Sequence, residues 1–394
     1  MSKRPSCFIS VGEHSGDLLA AELVLHLKKN IPELDIFGVT GNSLREAGVT
    51  SVGSIDELSV MGIVEVLKKL PALLAFEQRL LHEIDRRNVE VAILVDFPGF
   101  HFRLAEELHL RGIKVVQYVA PKLWAWGIGR AKKLKEYFDL VLGVLPFETE
   151  FFSSLGVNYK YIGSPHLDRI QQLNNSHVQF SFTDSDQVIA CLPGSRLDEV
   201  NRMMPVIYKV ATLLKDEDPR LNFVVPISSN LSINQVINCM RRVGIVHDLI
   251  ELTNNGNGLW RYGNVYFVKG LSLELMSIAK MAVIASGTAT LECALLGTPM
   301  VVLYAMDDMS YKIARKKVTI SDYSLVNIVA QKKIVTEFIQ HFTVFDVVKE
   351  VSRLMHNEDE YLAMKNEFFL LTKKLTNNAG FHAAAEIVEL IGRA

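Results

Sequence analysis

The stretch MAVIASGTATLECALLGTPMVVLYAM, residues 281–306, decides between two very different folds. It is long and apolar enough to cross a bilayer, for which about 20 residues suffice. However, Glu292 lies near its middle, and Gly297-Thr298-Pro299 interrupts it with residues that end regular structure. We therefore interpret the stretch as a strand, a loop, a helix and a second strand, which is the repeating pattern of an α/β protein and not a membrane span.

Short β-branched runs of the same kind recur along the chain, and helical patterns separate most of them. The predicted strands lie near residues 7–11, 35–39, 91–96, 113–119, 139–145, 159–163, 188–192, 221–226, 265–268, 281–286 and 300–304. Because these runs are apolar on both faces, they favour buried parallel sheets with helices on each side.

The length of 394 residues favours two domains. We expect a Rossmann-like domain over residues 1–172, a polar linker over 173–187, a second Rossmann-like domain over 188–350 and helices over 351–394 that pack back on the first domain of the same or a partner chain. No strand is expected after Lys332. Two doubly wound domains facing each other across a cleft would place ligands at the carboxyl ends of their strands.

The composition excludes several classes of function. A net charge of −2 and a pI near 6.6 give no general attraction to nucleic acid, so no DNA or RNA partner is expected. The four cysteines lie far apart, which favours buried, reduced thiols in the cytosol. Charged residues interrupt the first apolar run, so no export signal is expected. The chain has no P-loop, no GxGxxG and no His or Cys pattern for a metal, and we expect neither metal nor cofactor.

The loop SGTATLE, residues 286–292, gives the strongest signal for a ligand. Ser286, Gly287 and Thr288 would let backbone N–H groups approach a diphosphate at the positive end of a helix, although an ordinary helix cap has the same residues. Glu292 does not have the spacing of a capping box. A carboxylate within TLECALL needs partners, such as the two hydroxyls of a ribose.

The loop LPGSR, residues 192–196, follows another predicted strand and precedes a helix. Gly194 and Ser195 form its turn, and the Arg196 guanidinium could bind two phosphate oxygens. Alternatively, Arg196 is an exposed side chain beside the capping acids Asp198 and Glu199.

The first half carries carboxylates in its loops. GEHSGD, residues 12–17, has Glu13 and Asp17 where a phosphate-binding turn would have glycines, although Asp17 could simply favour the helix N-terminus. Asp96 ends an apolar strand before Pro98 and Gly99, where it is either a turn residue or a general base that accepts a proton from a hydroxyl.

Two segments could contact a membrane. Residues 58–76 carry more apolar side chains than one buried helix face requires, which indicates either core packing or an amphipathic element in a membrane interface. Residues 118–139 combine Trp124 and Trp126 with a basic run, which indicates either a solvated helix beside core tryptophans or a surface for phosphate or anionic lipid.

The chain resembles the lipid-A-disaccharide synthase family, inverting glycosyltransferases of the GT-B fold from Gram-negative bacteria. The resemblance runs nearly end to end. It rests on GEHSGD (12–17), LSVMGIVEVL (58–67), DFPGF (96–100), YVAPKLWAW (118–126), LPFE (145–148), LPGSR (192–196), SGTATLE (286–292) and SLVN (324–327), in this order.

The resemblance implies transfer of a diacylglucosamine unit from UDP-2,3-diacylglucosamine to 2,3-diacylglucosamine 1-phosphate (lipid X). The products would be a β-1,6-linked disaccharide 1-phosphate and UDP. It also implies peripheral association with the cytoplasmic face of the inner membrane, and a homodimer.

The resemblance also assigns residues to the two domains. It implies that Asp96 is the essential aspartate, with Glu13 as the competing base, and that Arg196, Glu292 and Asn327 surround the nucleotide in the second domain. The first domain would bind the acceptor and its lipid, with carboxylates in GEHSGD accepting hydrogen bonds from sugar hydroxyls. The acceptor and lipid residues would be Ser15, Gly16, Met61, Val64, Val66, Leu67 and Leu70.

This chain departs from the family pattern at several positions. Gly99 and His101 replace an Asp and an Asn of Asp-x-Pro-Asp-Phe-Asn, so the roles of those two side chains do not transfer. Lys122 replaces the Ser of PSxWAW, and Val326 replaces the Pro of LPN. The alternatives are a GlcNAc transferase acting on a lipid-linked peptidoglycan precursor, a UDP-GlcNAc 2-epimerase, or a binding protein that has lost catalysis.

Overall fold

The computed structural model of the chain describes residues 5–58, 63–173, 187–252, 258–308, 311–312, 315 and 322–392. Its strands are β1 (Ser6–Val11), β2 (Asp35–Thr40), β3 (Thr50–Ser54), β4 (Val91–Val95), β5 (Lys114–Tyr118), β6 (Leu140–Gly143), β7 (Tyr159–Tyr161), β8 (Gln187–Leu192), β9 (Leu221–Ile227), β10 (Leu249–Leu252), β11 (Leu259–Tyr262), β12 (Val265–Lys269), β13 (Met281–Ala285), β14 (Met300–Tyr304) and β15 (Thr336–Ile339).

The α-helices within these ranges are α1 (His14–Asn30), α2 (Asn42–Glu46), α3 (Ile55–Leu58), α4 (Ile63–Arg87), α5 (Pro98–Leu110), α6 (Ala131–Tyr137), α7 (Glu148–Ser154), α8 (Pro165–Gln171), α9 (Leu197–Glu217), α10 (Ile233–Arg241), α11 (Ser272–Ile278), α12 (Thr288–Leu295), α13 (Leu325–Ala330), α14 (Val344–His356), α15 (Glu358–Thr372) and α16 (Ala379–Gly392). A 3₁₀ helix covers Ile128–Arg130.

The chain divides into two compact units. The first contains Met1–Pro165 together with Leu375–Ala394, and the second contains His166–Lys374. Most of the expected linker, residues 174–186, lies outside the described residues.

The first unit is a doubly wound parallel sheet in the order β3-β2-β1-β4-β5-β6-β7. Its central strands β1 and β4 are buried along their whole length, as their apolar sequences predict. Successive side chains of β1 enter different cores: Phe8 packs on the face of the sheet that carries Leu80 and Leu104, whereas Cys7 and Ile9 pack with Leu23 on the other face. Helices therefore cover both faces of this sheet.

The second unit has the sheet order β10-β11-β12-β9-β8-β13-β14-β15. The pairs from β12 to β15 are parallel, but β10 and β11 form an antiparallel extension at one edge. The expectation that no strand follows Lys332 is wrong, because β15 pairs with β14 at the other edge. Its four residues are only partly buried, so the sequence TEFI lacks the apolar run that marks the central strands.

The C-terminal helices are divided between the units. Helix α16 packs on α1, and Ala383, Ala384 and Ile387 join the core that contains Leu23 and Leu27. Helices α14 and α15, which we expected partly with the first domain, belong to the second unit, because α14 packs on α9 and α15 packs on α12.

Candidate active site

The loops of the first unit that carry Glu13 and Asp96 leave neighbouring strands. β1 and β4 pair in parallel, with Val11 opposite Val95, and their connections continue to opposite sides of the sheet. Such a switch point is where ligands bind in doubly wound sheets. Both Glu13 and Asp96 are exposed there. The structure thus brings the two candidate bases to the same end of adjacent strands.

The backbone at Asp96 adopts an uncommon conformation. Asp96 and Phe97 have φ values of 48° and 51°, and Val119, after the adjacent strand β5, has 69°. Left-handed conformations of this kind cost about 1–3 kcal/mol for residues other than glycine and cluster at functional sites. The Phe97 ring fills the space beside Gly12, where an added Cβ would lie only 2.2 Å from Phe97 Cγ. The two candidate loops are therefore packed directly against each other.

His101 connects strand β1 to the loop that carries Asp96. It is fully buried on α5, and its Nδ1 lies 2.7 Å from the carbonyl oxygen of Asp96, while its Nε2 lies 2.9 Å from Ser10 Oγ on β1. Burial lowers the pKa of His101 to about 4, even though the hydrogen bond to the Asp96 carbonyl raises it. The ring is therefore neutral at physiological pH.

Asp17 is a structural residue rather than a ligand for sugar hydroxyls. Its buried carboxylate accepts hydrogen bonds from the backbone N–H groups of Gly41 (2.7 Å), Ser43 (2.8 Å) and Leu44 (3.3 Å). These bonds satisfy the first turn of α2. The expectation that both acids of GEHSGD receive substrate hydroxyls is therefore corrected to Glu13 alone.

The predicted acceptor and lipid residues are only partly described. Ser15 is exposed, whereas Gly16 is buried beneath it, where an added Cβ would lie 3.5 Å from Val95 Cγ1. Met61 lies outside the described residues, as do the side chains of Val64, Val66 and Leu67. Leu70 is 41% exposed on α4, so it is available to an apolar ligand.

Sequence reasoning missed a buried carboxyl group that holds the tryptophan segment. Glu148 of the LPFE motif is 2% exposed, accepts a hydrogen bond from Trp124 Nε1 (2.9 Å) and another from Tyr159 Oη (3.2 Å). Burial raises the pKa of Glu148 to about 7 against these hydrogen bonds and the charge of Lys122. Trp126, in contrast, is 45% exposed, with Arg130 over its ring. The signal in the sequence was an acid in the LPFE motif, which follows the apolar strand near 139–145.

In the second unit, the loops SGTATLE and LPGSR also meet at a switch point. They follow β13 and β8, which pair in parallel at the place where the strand order reverses. Gly287 caps α12 without a side-chain hydrogen bond, and an added Cβ at Gly287 would meet nothing within 4 Å. Gly287 and Thr288 are exposed, while Ser286 Oγ donates to the Tyr323 carbonyl at 2.7 Å. The helix N-terminus therefore has space for an anion beside its backbone.

The LPGSR loop is held by an acid of its own helix. One Glu199 oxygen accepts hydrogen bonds from the N–H groups of Ser195 (3.0 Å) and Arg196 (3.3 Å). Gly194 has φ 111°, and an added Cβ would collide with Glu199. The Arg196 guanidinium lies 3.5 Å from the other Glu199 oxygen and is 47% exposed. The amides of Ser195 and Arg196 are thus occupied by Glu199, while the exposed Arg196 guanidinium can reach a phosphate.

Glu292 has two protein partners that the sequence did not indicate. Its Oε1 accepts hydrogen bonds from Arg169 Nη1 (2.8 Å) and His166 Nδ1 (3.1 Å), both on α8. Burial alone would raise the pKa of Glu292, but the hydrogen bond and charge of His166 and the charge of Arg169 lower it. Both bonds reach the same oxygen, so a ligand hydroxyl could still bind Oε2.

Asn327, which the resemblance places at the nucleotide, uses its side chain for hydrogen bonds within the protein. Its Nδ2 donates to the Val335 carbonyl (3.0 Å) and Glu337 Oε1 (2.9 Å), and its Oδ1 accepts from the N–H groups of Ile334 (2.8 Å) and Val335 (3.0 Å). An asparagine amide has two donor and two acceptor positions, and all four are used. The amide is fully buried.

Among the described residues, no group of three or more His, Cys, Asp or Glu side chains has an arrangement that could hold a metal ion. None of the helices in that part of the chain is both long and apolar enough to cross a membrane. All four cysteines are buried free thiols, as predicted.

Two doubly wound units, one after the other in the chain, define the GT-B fold. The chain is similar in fold to the S. aureus MnaA–UDP complex (TM-score 0.64, 15% identity, 98% of this chain and 95% of that one). It is also similar to the glycosyltransferase of kitacinnamycin (TM-score 0.63, 15% identity, 98% and 99%). At these identities, the likeness concerns the fold alone.

The family model described as lipid-A-disaccharide synthetase matches residues 7–387. Lipid-A-disaccharide synthases are similar to the chain in Myxococcus xanthus (33% identity, 90% of this chain and 89% of the relative) and Sulfurihydrogenibium sp. (32%, 98% and 97%). Another, from Alcanivorax borkumensis, is 33% identical over 98% of both proteins. The chain belongs to the lipid-A-disaccharide synthase family.

Proposed function

We propose that the protein transfers a diacylglucosamine unit from UDP-2,3-diacylglucosamine to the 6-hydroxyl of 2,3-diacylglucosamine 1-phosphate, with inversion, in lipid A biosynthesis. Membership of the lipid-A-disaccharide synthase family over residues 7–387 supports the reaction. The observation that carries the chemistry is Asp96, an exposed acid in a left-handed conformation at the β1/β4 switch point.

The mechanism needs one base. The Asp96 carboxylate accepts the proton of the acceptor 6-hydroxyl while that oxygen forms a bond to the anomeric carbon. The bond from this carbon to the diphosphate oxygen breaks, and UDP leaves with the electron pair. A single displacement inverts the anomeric centre, and a positioned general base contributes about 10²- to 10⁴-fold to such a step. Glu13, on the neighbouring loop, is the competing base.

The second unit receives the leaving group in this proposal. Negative charge grows on UDP as the bond breaks, and the N-terminus of α12 and the Arg196 guanidinium are suited to stabilise it. Glu292 Oε2 is suited to accept a hydrogen bond from a ribose hydroxyl, while His166 and Arg169 keep Glu292 ionised through Oε1. The Arg196 side chain is 47% exposed, so solvent and a phosphate can reach it.

The lipid acceptor implies association with the cytoplasmic face of the inner membrane. Exposed Leu70, Trp126 and Ile128 support this part of the proposal, because apolar side chains gain free energy by entering the acyl boundary. Basic residues 130–135 follow in the sequence and suit anionic headgroups. A homodimer, which the family resemblance implies, stays a prediction.

The decisive experiment measures UDP release with both diacyl sugars present. Asp96→Asn should fold normally and lose nearly all turnover, whereas Glu13→Gln should keep more turnover than Asp96→Asn. Retention of more than about a tenth of wild-type activity by Asp96→Asn corresponds to a barrier change below about 1.4 kcal/mol and would exclude Asp96 as the base.

An epimerase is the second candidate, because proteins of similar fold include the UDP-GlcNAc 2-epimerase from Neisseria meningitidis (TM-score 0.58, 12% identity, 99% of this chain and 100% of that one). Incubation with UDP-GlcNAc alone separates the two functions. The proposed transferase should leave it unchanged, whereas conversion to the 2-epimer would contradict the proposal.

A further inference from the structure

The environment of His101 assigns it a role that the proposed reaction does not yet contain. We propose that His101 is a positioning residue for Asp96: it holds the Asp96 carbonyl and thereby keeps the Asp96 carboxylate in its reactive orientation. This inference rests on the proposed function of Asp96 as the base. It concerns a backbone contact of the aspartate, not a contact with substrate.

The protonation state of the ring follows from its two partners. The Asp96 carbonyl oxygen can only accept a hydrogen bond, so Nδ1, at 2.7 Å, must carry the proton. Because burial keeps the ring neutral, Nε2 carries no proton and accepts a hydrogen bond from Ser10 Oγ at 2.9 Å. Ser10 lies on β1, where backbone pairing on both sides fixes its position. His101 thus connects a rigid strand to the Asp96 loop.

A second side chain approaches the same carbonyl. Gln117, buried on β5, has its Nε2 3.4 Å from the Asp96 carbonyl oxygen and 3.1 Å from that of Val119. Asp96 and Val119 both have left-handed backbone conformations. The short His101 bond is the stronger of the two contacts with Asp96.

Holding the Asp96 carbonyl fixes the backbone of this residue and therefore the direction of the Cα–Cβ bond from which its carboxylate extends. Rotation of the Asp96–Phe97 peptide plane would relax the positive φ of Phe97, and it requires the Asp96 carbonyl to leave His101. The hydrogen bond therefore opposes the most direct relaxation of the strain. A catalytic group that is misplaced by about 1 Å loses on the order of 100-fold in rate.

His101 cannot itself exchange a proton with substrate. Its side chain is fully buried, both ring nitrogens are occupied, and the rings of Phe97 and Phe100 contact it with centroids 5.9 and 6.0 Å away. It is therefore a positioning residue rather than a second base. Its removal should lower kcat and leave the KM of both sugars unchanged.

The test uses the whole protein and three variants, of which two change His101 alone and one also changes Ser10. His101→Phe retains the aromatic packing but loses both hydrogen bonds, and it leaves Ser10 Oγ without its partner. The double variant Ser10→Ala/His101→Phe removes that unsatisfied group, so it should recover stability. Both should lose about 10- to 100-fold in kcat with KM within twofold of wild type. His101→Asn, whose amide nitrogen can take the place of Nδ1, should recover most of kcat.

The matched control is His109→Phe on the same helix, an exposed histidine beside Tyr137, which should keep wild-type kcat. Imidazole ¹⁵N shifts should show a neutral ring protonated at Nδ1 between pH 6 and 9. When Asp96→Asn is already present, adding His101→Phe should lower kcat no further.

The outcomes separate the two proposals. Turnover that is lost in Asp96→Asn but stays above half of wild type in folded Ser10→Ala/His101→Phe overturns the positioning role alone, as does a ring protonated at Nε2. Turnover retained by Asp96→Asn overturns the assignment of the base and, with it, the role of His101.

Discussion

The carboxylate of Asp17 lies 2.7 Å from the backbone nitrogen of Gly41, at the entrance to α2. This hydrogen bond and two others, from the N–H groups of Ser43 and Leu44, use the oxygens of a carboxylate that we had expected in the acceptor site. Gly41 also has no room for a side chain, since an added Cβ would lie 2.4 Å from Asp17 Oδ2. The acid and the glycine therefore form one structural unit.

Asp17→Asn should destabilise the protein without affecting its chemistry. The amide loses one acceptor oxygen and the charge, so backbone N–H groups of α2 lose their partner, which costs about 2–3 kcal/mol. Urea unfolding measures the loss. The kcat of the folded fraction should stay within about twofold of wild type, and a large fall in kcat at unchanged stability would return Asp17 to the acceptor site.

Glu292→Gln should weaken UDP binding by about 10- to 100-fold, because the proposed hydrogen bond from a ribose hydroxyl to Glu292 Oε2 loses its ionised acceptor. Isothermal titration with UDP measures the Kd. The matched control is Glu350→Gln, a carboxylate of the same unit that bonds Thr336 at the amino end of β15, away from the ligand loops. An unchanged Kd in Glu292→Gln would remove Glu292 from the nucleotide site.

Asn327→Asp should lower the free energy of unfolding and leave the Kd of UDP unchanged in the folded protein. The new carboxylate cannot donate to the Val335 carbonyl and would face the carboxylate of Glu337, which together cost on the order of 3 kcal/mol. The same titration and unfolding experiments measure both quantities. Weaker UDP binding at unchanged stability would show that the buried amide does contact the nucleotide.

Glu148→Gln should alter how stability depends on pH. The folded pKa of about 7 lies above the ordinary value of 4.5, so the folded protein holds a proton that the unfolded chain releases. The stabilisation by neutral Glu148 is complete below pH 4.5 and is lost as the pH rises through 7, on the order of 3 kcal/mol. The glutamine variant can retain the hydrogen bonds to Trp124 and Tyr159. Because its amide does not ionise, its stability should not fall in this way as the pH rises.

The comparison is made by measuring unfolding of both proteins from pH 5 to pH 8. The variant should gain stability relative to wild type as the pH rises across this range. Parallel curves would mean that Glu148 stays ionised throughout.

The strands near 7–11, 91–96 and 281–286 could be predicted because a buried parallel strand is apolar on both faces and stands out from its surroundings. Their loops could then be placed, since the carboxyl ends of parallel strands share one edge of a sheet. Glu13 with Asp96, and Arg196 with the start of α12, follow from this rule. β15 was not predicted, because a short strand at the edge of a sheet needs no such apolar run.

The partners of individual side chains could not be predicted. Glu292 meets Arg169 and His166 across a sequence separation of more than 120 residues, and Asn327 uses its amide on a turn that carries no motif. Local sequence patterns do not indicate contacts between residues that are so far apart in the chain. The left-handed backbone of Asp96 and Phe97 is likewise a product of packing, because neither residue favours it strongly by itself.

The packing of α16 on α1 has a consequence for biosynthesis. The first unit is assembled from segments at both ends of the described chain, with the whole second unit between them. A ribosome therefore releases α1 and the strands it packs on long before Ala383 and Ile387, which complete the same core, exist. This core is complete only once translation has reached residue 387, and a message cut short before that point would yield a protein whose N-terminal core lacks the contribution of α16.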